Sequence, residues 1–465
     1  MPVSTTHPEY QDNLDIWGKT RAATKGGKAV YDGDFLRKFN PVDDERQKQY
    51  QKGAYYLNIT GRTKDALVGS IFRHEPEAEI PALLDYVSED ADGSGQSLSQ
   101  VAKEVCGELM ETGRYGLLAD YPETPEGLTR DQVQSLELRP YMGLYPAESI
   151  INGHTEMMGG KSVLTLVVLR EPLDIQVDEF EIRRTHQYRV LRLNEGVFTV
   201  QIYDADDKPV SEEYAPRAGD ATWNRIPFHI AGSTNNLNTP DMPPLYPMAE
   251  LNIAHYQTTA DHRENLFIHG QLTLGISSDM SPETFAQANP NGVIVGARAG
   301  HFLGPNGKFT QATAPESSSL RVALQDLREE MASIGAKLVS KGGQAETAET
   351  ARINAASEHS VLETLVGNAS EAIEAALEDM ALYQGASPDQ VEFRLNTDFF
   401  EEGIDPQQVM ADIALYDRAL IAKQDVRRNL RQGGRVDPAR TDEEIDADAG
   451  DDLGPALGGA SFNGE

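Results

Sequence analysis

The chain has 465 residues, enough for roughly three domains or one elaborate fold and for a sizeable buried core. Apolar residues make up 39% and charged residues 25%, yet 74 Asp and Glu stand against 41 Lys and Arg, a net charge of −33. That balance excludes general attraction to DNA or anionic membrane, and the single cysteine, Cys106, excludes an internal disulfide framework and a Cys-rich metal site.

The opening residues MPVSTTHPEY carry no apolar core and do not form a secretory signal. The longest clean apolar run, Val163–Leu169, is far short of the roughly 20 residues that a membrane span needs. Both features suit a reducing cytoplasm. The first third reads as short helices separated by Gly and Pro breaks. Tyr50–Phe72 mixes aromatic and aliphatic residues and ends near Pro76. Gln96–Leu118 begins at a cap-like Ser97 or Ser99 and places Leu98, Val101, Val105, Leu109 and Met110 at helical spacing. Gly113 and Gly116 break it, and Leu117–Tyr121 is expected as a short strand.

From about residue 140 to 230 the pattern turns to strands. Val163–Leu169 is β-branched and bounded by Lys161 and Pro172. Glu181–Leu193 and Val197–Tyr203 flank a hairpin turn at Asn194-Glu195-Gly196. Asp204–Pro209 has the look of a calcium loop but lacks its Gly and closing Glu, so an ordinary turn is expected.

Long helices follow. One is expected over Leu245–His269, about 40 Å long. Gln271–Pro315 is rich in Gly, Pro and strand formers. A second helix is expected over Ser318–Val339, where Leu320, Leu324, Leu327, Met331, Ile334 and Leu338 advance in steps of 4-3-4-3-4, a narrow seam with charged flanks. Lys341-Gly342-Gly343 ends it. A third helix covers Glu346–Tyr383, Val391–Asp398 reads as a strand, and Pro406–Leu430 as a fourth helix. From Gly433 the chain is acidic and Gly-rich, with too little apolar surface to order itself.

Signals for chemistry are weak. Gly159-Gly160-Lys161-Ser162 is the nearest approach to a phosphate loop, but position 155 is Thr where that motif needs Gly, and a strand pattern follows instead of a helix. His255, His262 and His269 recur every seven residues, about 10 Å of helix rise, too far apart for one ion. They are expected as a polar stripe, or as rings of histidines if the chain forms a ring. Asp398, and Asp261 with Glu264, are the best local carboxylate candidates, without a partner signal. No nucleophile elbow, zinc-protease helix or Cys/His pairing occurs. No catalytic, metal or cofactor-binding residues are expected.

Several phrases carry a resemblance. They are Asn58–Phe72 (NITGRTKDALVGSIF), Glu111–Pro122 (ETGRYGLLADYP), Arg139–Asn152 (RPYMGLYPAESIIN), Ile226-Pro227-Phe228, Pro243–Asp261 (PPLYPMAELNIAHYQTTAD) and Phe393–Phe400 (FRLNTDFF). With the order of elements across about residues 17–432, they make the chain resemble the portal proteins of tailed bacteriophages, the head-to-tail connectors. The resemblance implies an α+β fold: a wing of mixed α/β, a two-helix stem, a small α/β clip, a long wing helix and a helical crown. It divides the chain into a wing (1–244), a stem helix (245–270), a clip (271–317), a second stem helix (318–340) and a tunnel loop (341–350). Beyond these come the wing helix with its returning strand (351–403), the crown (404–432) and the tail (433–465).

The resemblance further implies a homo-oligomeric ring of about twelve subunits at one capsid vertex. Double-stranded DNA would pass through its channel during packaging and ejection. The family does not hydrolyse ATP and takes no cofactor. Its partners are further copies of itself, the terminase large subunit, head-completion or adaptor proteins, and the major capsid and scaffolding proteins, with no membrane. Its place is the virion, and the host cytoplasm during assembly. Lys341, Gly342, Gly343 and Gln344 would form the DNA-facing loop, with a plain helix–helix linker as the other reading. Asn291, Gly292, Pro305, Asn306, Gly307 and Lys308 would face terminase and adaptor. Two rivals stand beside this expectation: another ring-forming head or tail protein, such as a minor capsid or adaptor protein, and a carboxylate-dependent hydrolase.

Overall fold

The computed structural model describes residues 2–38, 43–122, 138–218, 221–270, 273–293, 301–312, 318–339, 348–397, 399 and 441. The chain divides into Met1–Asn396 and Thr397–Glu465, and every element below lies in the first unit. The expected fourth helix, the tail apart from Thr441, and the loop at 341–347 lie outside the described residues.

Capping chemistry sets the N-terminal helices. α1 (Pro8–Lys25) starts with Pro at its first turn, where a missing N–H costs nothing, and stops at Gly26, whose φ of 63° suits glycine. α2 (Lys28–Asp32) is a short turn. α3 (Asp44–Gly53) is capped by Asp43, and α4 (Ile59–Ile71) by Asn58, whose Oδ1 accepts the Gly61 N–H at 2.8 Å. Tyr50–Phe72 is therefore the end of one helix, a non-helical link and a second helix. β1 (Glu77–Glu79) and a 3-10 turn (Ala82–Ser88) lead to α5 (Leu98–Thr112). Ser97 is its cap: the Gln100 N–H donates to Ser97 Oγ while Gln100 Oε1 accepts the Ser97 N–H at 2.9 Å. Gly113 closes the helix at φ 69°.

The strand region makes two sheets. β2 (Arg114–Asp120) is buried along nearly its whole length and pairs antiparallel with β3 (Tyr141–Pro146). β4 (Ile150–Met158), β5 (Lys161–Gln176), β6 (Ile182–Asn194) and β7 (Val197–Tyr203) form an antiparallel meander in chain order. The β6–β7 turn falls at Glu195 and Gly196, with φ of 49° and 79°, the left-handed pair of a tight hairpin. β5 runs on past Pro172, where the sequence pattern predicts an end. β4 stops pairing at Leu169, so Pro172 lies where one side of the strand is an open edge, a setting that tolerates a residue without an N–H. β8 (Arg217–Ala218) and β9 (Ala221–Thr222) form a small hairpin. β10 (Phe228–Gly232) then returns to β2, giving the order β10–β2–β3.

Long helices complete the unit. α6 (Tyr246–Gly270) is followed by β11 (Thr273–Ser277), α7 (Pro282–Ala288) and β12 (Lys308–Ala312), with β11 and β12 paired antiparallel. α8 (Ser318–Val339) then packs back along α6. α9 (Ala348–Tyr383) lies over β10, β2 and α5. After a 3-10 turn, β13 (Glu392–Arg394) pairs with β1. It is shorter than the expected Val391–Asp398 because its partner strand offers only three residues. The fold is mixed helix and sheet, of the α+β class.

Candidate interaction surfaces

α6 and α8 form the most extensive helix–helix contact among the described residues. The inward face of α6 carries Met248, Ala249, Asn252, Ile253, His255, Tyr256, Thr259 and Ala260, all buried and all in its first four turns. Asn252 is fully buried and caps a different helix. Its Oδ1 accepts the Ile59 and Thr60 N–H groups, each at 3.1 Å, and the Thr60 hydroxyl at 3.0 Å, while its Nδ2 donates to the Leu57 carbonyl at 2.8 Å. His255 is 1% exposed, and its Nε2 accepts from Arg328 Nε of α8 at 3.2 Å. Burial first, and the Arg328 cation second, push its pKa below the ordinary value, so the ring is held neutral. The expected polar stripe is thus broken at its first member, which serves as a cross-helix acceptor.

The seam of α8 divides into two rows. Leu324 and Met331, seven residues apart, are buried against the rest of the chain. Leu320 and Leu327 are half-buried and Ile334 is 37% exposed. A 4-3 spacing places these rows on the two flanks of one stripe, one flank buried and the other half-covered. The Leu338 side chain lies outside the described residues.

The segment between α6 and α8 is a small α/β unit held by its own polar contacts. Asn289, 7% exposed, donates to the Phe302 carbonyl at 2.9 Å and accepts the Phe302 N–H at 3.3 Å. The Ser278 hydroxyl donates to the Leu303 carbonyl at 2.8 Å. Asn291 and Gly292, the latter at φ 70°, form the exposed turn after α7. Pro305 and Asn306 form a second exposed turn, closed by the Gly307 N–H donating to the Gly304 carbonyl, and Lys308 opens β12 against Ser277. Lys341, Gly342, Gly343 and Gln344 lie outside the described residues.

Part-buried ion clusters weld the body together, and the sequence pattern gives no sign of them because their members are far apart in the chain. Arg21 of α1 meets Glu108 and Glu111 of α5 at 2.5 and 3.0 Å and also bonds Glu148, while Lys64 of α4 reaches Glu111 at 2.5 Å. Arg189 of β6 binds Glu171 of β5 at 2.6 Å and Asp120 of β2 at 3.1 Å, tying the two sheets. Asp379 of α9, fully buried, takes His229 of β10 at 2.8 Å and also bonds Arg225. Tyr383 of α9 packs its ring 4.7 Å from that of Trp223.

The residues weighed for chemistry have structural partners. Gly159 and Gly160, at φ 59° and 84°, make the β4–β5 turn, and Lys161-Ser162 opens a strand. Asp204 Oδ1 accepts the Asp206 and Lys208 N–H groups, which closes an ordinary turn, and Asp207 holds Ser4. Asp261 accepts the Tyr50 hydroxyl at 2.5 Å, and Glu264 pairs with Arg46 at 3.5 Å. Asp398 lies outside the described residues. Among the described residues no cluster of His, Cys, Asp and Glu is placed to hold a metal ion, and no helix is long and apolar enough to cross a membrane. Cys106 is fully buried, its thiol pushed up to about 12 by desolvation.

Two exposed features stand out among the described residues. A cleft of about 910 Å³ lies between α3 and the last turns of α6, floored by Tyr50, Ala260, Leu266, Phe267 and Ile268. Beyond Leu169 and Tyr188, where β4 and β7 stop pairing, β5 and β6 continue alone as a two-stranded arm.

A family described as Domain of unknown function (DUF4055) matches residues 244–384, the stretch from α6 to the end of α9. A comparison with curated proteins returns no match. Among solved structures, a chain from one described as the virion of a native gene transfer agent particle is similar at 14% identity and a TM-score of 0.39, over 89% of this chain and 98% of that one. Chains from the neck of the empty particle, computed with C6 symmetry, and of the native particle, computed with C12 symmetry, are similar at 14% and 13% identity. Each has a TM-score of 0.36 over 87% of this chain and 98% of the other.

Proposed function

We propose that the chain is a portal subunit. It closes with further copies into a ring of about twelve at one capsid vertex. The ring is the conduit for double-stranded DNA and the dock for the terminase large subunit, then for head-completion or adaptor proteins, with capsid and scaffolding protein around its rim. The chain catalyses nothing itself. The observation that carries the reading is the run α6, β11–α7–β12, α8, α9. Two long helices pack on each other and bracket a compact α/β insertion, and the second of them keeps one row of its Leu seam only half-covered. A half-covered seam suits a helix that packs between its own chain and a neighbour in a closed ring. In this reading α6 and α8 are the stem and β11–α7–β12 is the clip. The residues from 341 are the tunnel loop, α9 crosses the wing, and the residues beyond 403 form crown and tail.

Charge supports the conduit role. A lumen built from a subunit of net charge −33 repels phosphate and lets the duplex slide, whereas a basic lining would hold it by counterion release. The experiment that tests the reading is antibody labelling of assembled particles. Label at a single site, the head–tail junction, supports a portal. Label over the whole shell or along the tail assigns the chain to another structural component.

A further inference from the structure

We infer that the β5–β6 arm of one copy docks its tip in the α3–α6 cleft of a second copy. The inference deepens the ring reading and rests on it. The arm stands about 20 Å beyond its sheet. Its two faces differ in chemistry. Asp174 and Arg184, cross-strand partners, form an ion pair at 2.8 Å on one face. Leu173 and Ile175 lie on the other, each 36% exposed, opposite Thr185 and Arg183 of β6, and Val177 follows at 54%. An isolated two-stranded ribbon is marginal in water, and exposed aliphatic side chains on one call for a covering surface.

The tip is built to present an aromatic anchor. The Asp178 carboxylate accepts the Phe180 and Glu181 N–H groups at 2.8 and 2.7 Å, which fixes the turn and leaves Phe180 88% exposed. Those same hydrogen bonds hold the Asp178 carboxyl below its usual pKa, so it stays charged. Around Phe180 the tip is acidic, with Asp178, Glu179 and Glu181.

The cleft is its complement in a chain that is otherwise strongly acidic. Leu266 and Phe267, 49% and 57% exposed, give it an apolar floor. Arg46, Lys52 and Arg263 line it against one carboxylate, Glu264, which Arg46 already pairs. Lys52 and Arg263 have no carboxylate partner among the described residues, Arg263 donating to the Gly53 carbonyl. No arm residue lines the cleft. An acidic, aromatic, prefixed turn matches a basic, apolar cleft in charge and in polarity. Tip and cleft are different surfaces of one chain, so the contact is heterologous and propagates from copy to copy until it closes.

The test uses the full chain with two added thiols and a short bismaleimide. Buried Cys106 supplies a silent background. Ile182→Cys beside the tip and Gln49→Cys on the cleft lining leave Phe180 and Leu266 in place, and in separate chains that are mixed they are expected to give a cross-linked dimer. Both in one chain give a ladder of multimers. Glu179→Lys with Glu181→Lys is expected to abolish most of the product, and adding Lys52→Glu with Arg263→Glu to restore it. Rings visible by negative stain without any cross-link overturn the arm contact and leave the ring. A double-thiol chain that closes only on itself, with no ladder, assigns the tip to its own cleft and also overturns the inference. A chain that stays monomeric with no cross-link overturns both the contact and the ring.

Discussion

Asn252 shows how much one side chain can carry. It is buried on α6, yet it satisfies the orphan N–H groups at the start of α4 and the carbonyl of Leu57. Asn252→Leu keeps the volume and strands those groups, and is expected to cost about 2–4 kcal/mol in urea unfolding. His255 supplies a pH dependence with a defined sign. Its folded pKa is depressed, by burial first and by Arg328 second. Its stabilising share is therefore complete above the unfolded value of about 6.5 and is lost as pH falls below it. The urea midpoint is expected to drop between about pH 7 and about pH 5, and to drop less in His255→Gln. A seven-residue histidine period gives no hint of this, because periodicity fixes the face of a helix and not what packs on it. Arg21, Arg189 and Asp379 are likewise invisible in the sequence, since each acquires its partners from segments brought together only by the fold.

Elements were more legible than residues. Ser318–Val339 follows from the Leu spacing alone, and α5 from a cap-like serine, the hydrophobic period and the break at Gly113, with the choice of Ser97 over Ser99 settled by its capping box. The β6–β7 hairpin follows from Asn-Glu-Gly. Failures came where a neighbouring strand decides the length. β5 overruns Pro172 because its edge is open there, and β13 stops early because β1 is short. The two rows of the α8 seam give a prediction that separates folding from assembly. Met331→Ala, in the covered row and fully buried, is expected to cost about 2–5 kcal/mol of chain stability. Ile334→Glu, at the exposed end of the other row, is expected to cost much less chain stability than that and to lower self-association, read by sedimentation velocity. Equal loss of stability from the two rows would remove the case for a neighbour on the second.

At the scale of the whole molecule, composition excludes more than it assigns. The charge of −33 and the single buried cysteine remove broad classes of function, and the helix–insertion–helix order is what the proposed ring reading rests on. The site itself was barely legible. Asn291, Gly292, Pro305, Asn306 and Lys308 do lie at exposed turns or a strand start, but the arm and the cleft are products of strand register and helix packing. The central claim is that the chain closes into a ring. Native mass spectrometry with negative-stain imaging of the purified chain, concentrated at moderate salt, tests it most directly. The account predicts one dominant species of about twelve copies with a central hole. A stable compact dimer with no hole would contradict it.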